Sequence, residues 1–227
     1  MKLMGHRGAR NEAPENTLKG FRHALDYGIE VIELDIHLSS DGHLMVIHDD
    51  TLERTTNGSG KINDFTCAQL QLLDAGDGEK IPTLPEALAL LLNANCEIQI
   101  EVKDGKTLSP LIEYILTLEA AMQSLLTVIS FHHGWLKNFK EKLPRIKTTA
   151  LLYGHVMDPA GLAKACLADG LSFNIAFIDQ RICDAVKEEN LTLTGWNANN
   201  IEDFQRMKEL GIDFLGTDCP KEALSWA

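Results

Sequence analysis

What this 227-residue chain lacks narrows its class before anything it contains is read. No apolar run reaches the roughly 18 residues of a membrane-spanning helix, so no membrane insertion is expected. The opening stretch, Met1 to Arg7, turns polar too soon for a secretory signal, which leads us to expect a cytoplasmic protein. Cysteine is sparse and odd in number: Cys67, Cys96, Cys166, Cys183 and Cys219. None stands in CxxC or CxxH spacing, which excludes a disulfide framework and a zinc site and leaves scattered thiols. Positive charge is the minority, 21 Lys and Arg against 33 Asp and Glu, for a net charge of -12. That balance argues against nucleic acid as a partner, because phosphate backbones need basic patches. A small anionic substrate stays open, since a metal ion or two local cations can reverse the field inside a pocket. There is no GxGxxG, no P-loop, no internal repeat and no low-complexity tract.

What the chain does contain is a regular alternation of short β-rich runs and amphipathic helical runs. Its 44% hydrophobic and 24% charged residues suit one large α/β domain. Strands are predicted at Lys2–His6, Val31–His37, Leu44–His48, Glu97–Lys103, Leu126–Phe131, Lys147–Tyr153, Leu171–Phe177, Leu191–Trp196 and Phe214–Thr217. Helices are predicted at Leu18–Tyr27, Ala87–Leu92, Leu111–Ala121, Gly134–Lys142, Pro159–Ala168, Gln180–Glu189, Ile201–Leu210 and Lys221–Trp226. Setting Leu44–His48 aside leaves eight βα units joined by short connections. That count implies a parallel sheet closed as a (β/α)8 TIM barrel, a single catalytic domain over 1–227. An open doubly wound sheet is the main rival. One segment breaks the rhythm. After Asp35 the Asp41-Gly42 turn leads into Leu44–His48, and residues 50–82 carry four glycines with little periodicity. We read it as a small insertion on the C-terminal face of the barrel, where active sites are shaped.

Val31-Ile32-Glu33-Leu34-Asp35 concentrates the chemistry. In a strand, Glu33 and Asp35 point one way and Ile32 and Leu34 the other. Two carboxylates on one face of a buried strand need compensation. A hard metal ion, a carboxylate dyad for acid/base work, and an ordinary ion-paired edge strand all satisfy that need. Glu101 on the next strand adds a third carboxylate, and an all-oxygen set suits one divalent cation, Mg2+ or Ca2+. An ion pair of Glu101 with Lys103 is not expected, since same-face neighbours along a strand lie far apart. Arg7 and Lys103 at the same rim suit a phosphate group, or balance the carboxylates. His6 and His48 are candidates for a general acid/base pair, because imidazole titrates near neutral pH. Of the remaining histidines, His23, His43 and His155 read as structural. His37, two past Asp35, is the likeliest impostor, and His132 and His133 are ambiguous.

With these positions assembled, the chain resembles the glycerophosphodiester phosphodiesterase family, its compact bacterial cytoplasmic members in particular. The matching motifs are His6-Arg7-Gly8, Pro14-Glu15-Asn16-Thr17, Glu33-Leu34-Asp35, Ser40-Asp41-Gly42, His48-Asp49 and Leu52 through Gly58. They continue with Pro82-Thr83-Leu84, Glu101-Val102-Lys103, Ser130-Phe131 and Thr217-Asp218 with Pro220. The resemblance implies a TIM barrel that hydrolyses glycerophosphodiesters to sn-glycerol 3-phosphate and an alcohol, with a divalent metal. It implies catalytic roles for His6 and His48, and metal ligation by Glu33, Asp35 and Glu101. It further implies phosphate binding by Arg7 and Lys103 and an aromatic, Trp196, beside the substrate glycerol. Asn197 and Ala198 depart from the family's seventh-strand motif. Two rival readings follow, a phospholipase D-like hydrolase of lysophospholipids and a non-catalytic glycerol-phosphate-binding protein. The expected partner is a small-molecule diester, and the expected state a monomer or homodimer.

Overall fold

The computed structural model describes residues 1–226. Nine strands form one sheet: β1 (Lys2–Gly5), β2 (Val31–Leu38), β3 (Leu44–Val46), β4 (Glu97–Val102), β5 (Leu126–Ser130), β6 (Lys147–Leu152), β7 (Gly170–Asn174), β8 (Thr192–Trp196) and β9 (Phe214–Thr217). The spatial order is β1-β9-β8-β7-β6-β5-β4-β2, and a further β1–β2 pairing closes the ring. Every pair around it is parallel. The result is the closed (β/α)8 TIM barrel expected from the alternation, not the open sheet. β3 stands outside the ring, antiparallel to β2 through Ile36↔Val46 and Leu38↔Leu44.

Alternation along the strands divides inside from outside. On β2, Ile32, Leu34 and Ile36 are fully buried in the main apolar cluster, together with Ile98 and Ile100 of β4. These residues face the surrounding helices, where Phe21, Leu88 and Phe139 are also fully buried. Glu33, Asp35, Gln99 and Glu101 occupy the alternate positions and face the barrel interior. Register sets them opposite one another, with Glu33↔Gln99 and Asp35↔Glu101.

Several helices begin where side chains satisfy their free N–H groups. The Thr17 hydroxyl accepts from Gly20 N before Leu18–Asp26, and Thr83 with Glu86 forms a capping box before Leu84–Asn93. The predicted terminal helix Lys221–Trp226 is a one-turn helix, Pro220–Ala223, followed by a 3-10 turn, Leu224–Trp226, and two further predicted elements run past their observed ends. The Leu111–Ala121 helix runs instead over Leu108–Thr117, stops at an extended Leu118, and resumes as Ala120–Gln123. The sixth barrel strand, β7, ends at Asn174, whose side chain accepts from Ala176 N and turns the chain into a short 3-10 helix, Ile175–Phe177. Local side-chain bonding overrides the apolar pattern there.

Segment 47–82 contains a 3-10 turn (Ile62–Asp64) and a one-turn helix (Cys67–Leu70). Its apolar side chains, Leu52, Ile62, Leu70 and Ile81 among them, pack with Met45 and Ile47 in a cluster separate from the main core. The five cysteines are unpaired. No helix among the described residues is long and apolar enough to cross a membrane.

Candidate active site

The ionisable residues at the C-terminal strand ends converge on one cavity of about 190 Å³. His6, Arg7, Glu33, His48, Glu101 and Lys103 line it, together with the apolar Phe131, Leu151 and Trp196. Asp35 lies against this charged wall, fully buried. Larger hollows at the surface lack such a constellation.

Backbone geometry aims the first of these residues. Gly5 has no room for a side chain, because a Cβ there would run into the Gly8 carbonyl oxygen and Ile32. Arg7 sits in the left-handed region, at φ 50°, and its N–H donates to Glu33 Oε2 at 3.0 Å. Its guanidinium donates to Glu15 Oε1 at 2.9 Å and lies 3.4 Å from Asp35 Oδ2. Asn16, also at positive φ, donates from Nδ2 to Asp35 Oδ2 at 2.9 Å.

Glu33, Asp35 and Glu101 offer carboxylate oxygens within 4.8 Å of one another. Glu33 is 3% exposed, Asp35 fully buried and Glu101 9% exposed. Burial, then the charges of Asp35 and Glu101, drive the Glu33 carboxyl well above its ordinary range. Burial and Asp35 push Glu101 up to about 7. Asp35 goes the other way, because Lys103 and then Arg7 outweigh the cost of its burial. Glu33 Oε1 and Asp35 Oδ1 are buried without a hydrogen-bond partner. Buried carboxylates with idle lone pairs are a poor arrangement alone and a good one around a hard cation, so the residues fit a divalent metal ion.

Lys103 corrects the sequence reading. Its Nζ lies 2.9 Å from Glu101 Oε1 and 3.3 Å from Asp35 Oδ1. Two residues on one strand face are well separated at the backbone, but the four-carbon lysine stem folds back across the gap.

Each histidine is seated on a carboxylate. His6 Nδ1 is 2.5 Å from Asp218 Oδ1, and His48 Nδ1 is 2.5 Å from Asp49 Oδ1. An ionised carboxylate only accepts, so Nδ1 carries the proton in both and Nε2 is left free. The acids stay ionised. Arg54 holds Asp49 below its ordinary range, and at Asp218 the cost of burial is outweighed by His6, Asn199 and Arg10 together. His6 Nε2 lies 3.9 Å from Glu33 Oε2. The Asn197 amide is 3.0 Å from His6 Nδ1, which places this departure from the family motif against a candidate catalytic residue.

The other histidines are occupied elsewhere. His37 Nε2 pairs with the His48 carbonyl at 3.0 Å, His23 with Glu12, and His43 with Asp41. His133 Nε2 pairs with the Leu151 carbonyl, and His132 stacks on Trp135.

Asp49 and Asp218 stand in the matching motifs, and the structure gives each a place against a histidine. Asp49 adjoins His48 in sequence, a usable signal. Asp218 is 212 residues from His6 and meets it only because β9 closes on β1. Gln99, buried at 5% exposure with Oε1 unpaired, also lines the cavity, a residue outside the expected set. The Glu97-Ile98-Gln99-Ile100-Glu101 alternation could have shown that it faces inward.

Trp196 stands at the end of β8, with its Nε1 buried and unpaired. Phe131 meets it edge-on at 5.9 Å between centroids, and Tyr153 lies 6.1 Å away.

The model of the glycerophosphoryl diester phosphodiesterase family matches residues 6–222. A glycerophosphodiester phosphodiesterase of Caldanaerobacter subterraneus is 34% identical over 98% of this chain and 96% of its own. One from Bacillus altitudinis is 33% identical over the same shares. The structure of an Oleispira antarctica phosphodiesterase in complex with the product sn-glycerol-3-phosphate superposes with a TM-score of 0.93. It shares 26% identity and covers 100% of this chain and 96% of its own. The family match takes in every ionisable group of the cavity, from His6 to Asp218, and the chain therefore belongs to the glycerophosphoryl diester phosphodiesterase family, a family of phosphodiester-hydrolysing enzymes.

Proposed function

We propose that the protein hydrolyses glycerophosphodiesters, such as glycerophosphocholine or glycerophosphoethanolamine, to sn-glycerol 3-phosphate and an alcohol by His/His general acid-base catalysis. One observation carries the reading: two histidines, each fixed on its own aspartate, share one small cavity with Arg7, Arg10, Lys103 and a carboxylate cluster. Glu33, Asp35 and Glu101 would hold one Mg2+ or Ca2+ ion, which when bound supplies Lewis-acid charge stabilisation to the phosphoryl group. Arg7 and Lys103 neutralise charge that builds on the phosphoryl oxygens. Trp196 packs beside the substrate. One histidine takes the proton from the attacking oxygen through Nε2 as the new P–O bond forms. The other, as an imidazolium protonated on both ring nitrogens, gives its Nε2 proton to the departing alkoxide as the old P–O bond breaks. The attacking oxygen is either that of water or the substrate's own glycerol 2-hydroxyl. In the second case water opens the resulting cyclic phosphate in a second turnover of the same pair.

The product held by the Oleispira antarctica neighbour supports this substrate class. The whole chain works as one catalytic domain, with residues 50–82 shaping the mouth of the site, and we assign the enzyme to the cytoplasm. A specific observation favours lysophospholipids as second substrates. Phe131, Tyr153 and Met157 stand 45%, 71% and 94% exposed, the first two packed around Trp196.

A coupled dehydrogenase assay for released sn-glycerol 3-phosphate tests the reading with each glycerophosphodiester, and a choline-release assay tests it with lysophosphatidylcholine, whose phosphate stays on the acylglycerol. Release from the diesters is expected, and His6→Ala or His48→Ala should lower kcat by about 10²- to 10⁴-fold. Binding without release would make the protein a glycerol-phosphate carrier instead.

A further inference from the structure

Arg54 has no part in the scheme above, yet it grips the partners of two residues that do. The Nε and Nη2 edge of its guanidinium donates to Asp49 at 2.6 and 3.0 Å. Its Nη1 and Nη2 edge donates to both oxygens of Glu15 at 2.8 Å. Asp49 carries His48, and Glu15 accepts from Arg7. One planar group therefore joins the support of a proton carrier to the support of a phosphate ligand. Its side chain remains 42% exposed. Exposed ion pairs contribute little to stability, so four donated bonds from such a residue call for another purpose. The local sequence serves the grip. Leu52, fully buried in the small core of the insertion, anchors the segment two residues before Arg54.

We propose that Arg54 is a positioning residue that fixes His48 and Arg7 relative to each other, acting through Asp49 and Glu15. The inference rests on the roles proposed for His48 and Arg7. A rigid fork with donors on two edges can hold two carboxylates at a set separation; a lysine ammonium on a flexible stem cannot. Misplacing a catalytic group by about 1 Å costs on the order of 10²-fold in rate. A weaker arm extends the same network. Arg10 Nε lies 3.4 Å from Glu15 Oε2, and its Nη1 lies 4.0 Å from Asp218 Oδ2, the partner of His6.

The test uses the full-length metal-loaded enzyme. Arg54→Ala should lower kcat by about 10²-fold and raise KM, with an unchanged unfolding temperature. Added guanidinium ion at a non-denaturing concentration should restore part of the loss by occupying the vacated fork. Asp49→Asn should act mainly on kcat and Glu15→Gln mainly on KM, because the two arms serve different steps. Inorganic phosphate binding, measured by calorimetry, should weaken by about tenfold or more in Arg54→Ala and Glu15→Gln. Should Arg54→Ala unfold, Arg54→Lys carries the test, since it keeps the charge and loses the fork; the same losses are expected. Native kcat, KM and phosphate affinity in a folded Arg54 variant would overturn the inference. Failure of the native enzyme to release sn-glycerol 3-phosphate would overturn only the reading beneath it, and phosphate binding would still decide the role of Arg54.

Discussion

At the scale of single residues, three carboxyls share one small volume and settle it in opposite ways. Asp35 is held ionised by Lys103 and Arg7, whereas burial and the Asp35 charge push Glu101 up to about 7 and Glu33 well above its ordinary range. A folded-state pKa raised above the unfolded value contributes stability that is present below the unfolded value and lost as pH rises through the folded one. Between the ordinary glutamate pKa and about 7, the metal-free protein should therefore lose stability as pH rises. A divalent cation that requires both glutamates ionised restores it, and its binding releases protons. The rise in unfolding temperature on adding Mg2+ or Ca2+ should be larger at about pH 8 than at about pH 5. A rise of equal size at both would remove Glu33 and Glu101 from the cation site. Much at this scale was legible in the order of residues. The i, i+2 spacing on two strands grouped the three carboxylates, because strand geometry makes that spacing one face. The Glu101–Lys103 pair is not legible in the spacing, because backbone separation does not limit the reach of a lysine stem. The seat of His6 could not be read, since Asp218 comes beside it only through closure of the ring.

At the scale of elements, His6 and His48 stand on different supports. His6 follows β1 within the barrel wall, directly after Gly5. His48 stands on the segment whose apolar side chains form the second cluster. Leu70 is fully buried in that cluster. Leu70→Ala should cost about 2–5 kcal/mol through lost burial and a residual cavity. Chemical denaturation followed by circular dichroism, with turnover measured in parallel, checks this. Turnover is expected to fail at denaturant concentrations where the helical signal of the barrel persists. Coincident loss of both would show that the segment and the barrel melt as one. The alternation of strands and helices was readable from end to end, because helices and strands repeat at different periods. Boundaries were less so. The strand past Asn174 and the helix past Thr117 were drawn too long, since short side-chain bonds and single backbone angles end elements without disturbing the apolar pattern.

At the scale of the whole molecule, a net charge of -12 surrounds a mouth where Arg7, Arg10, Arg54 and Lys103 gather. The local cations act at contact distance, and the distant carboxylates act through solvent over a Debye length of about 8–10 Å. For an anionic diester such as glycerophosphoglycerol, added salt should raise kcat/KM by screening the outer repulsion. For zwitterionic glycerophosphocholine the value should stay nearly flat. A fall with salt for the anionic diester would mean that the cations at the mouth dominate even at long range. The register of β2 on β4 has a consequence of another kind. Asp35 lies opposite Glu101 and Glu33 opposite Gln99, and the side-chain period of a strand is two. Adding or deleting one residue inside either strand would turn its acids out among the helices and bring isoleucines into the cavity. The exposed turns of segment 50–82 can take added residues singly without moving the acids, while β2 and β4 accept them only in pairs. The site is written in parity, a coarser and more durable record than the identity of any one residue in it.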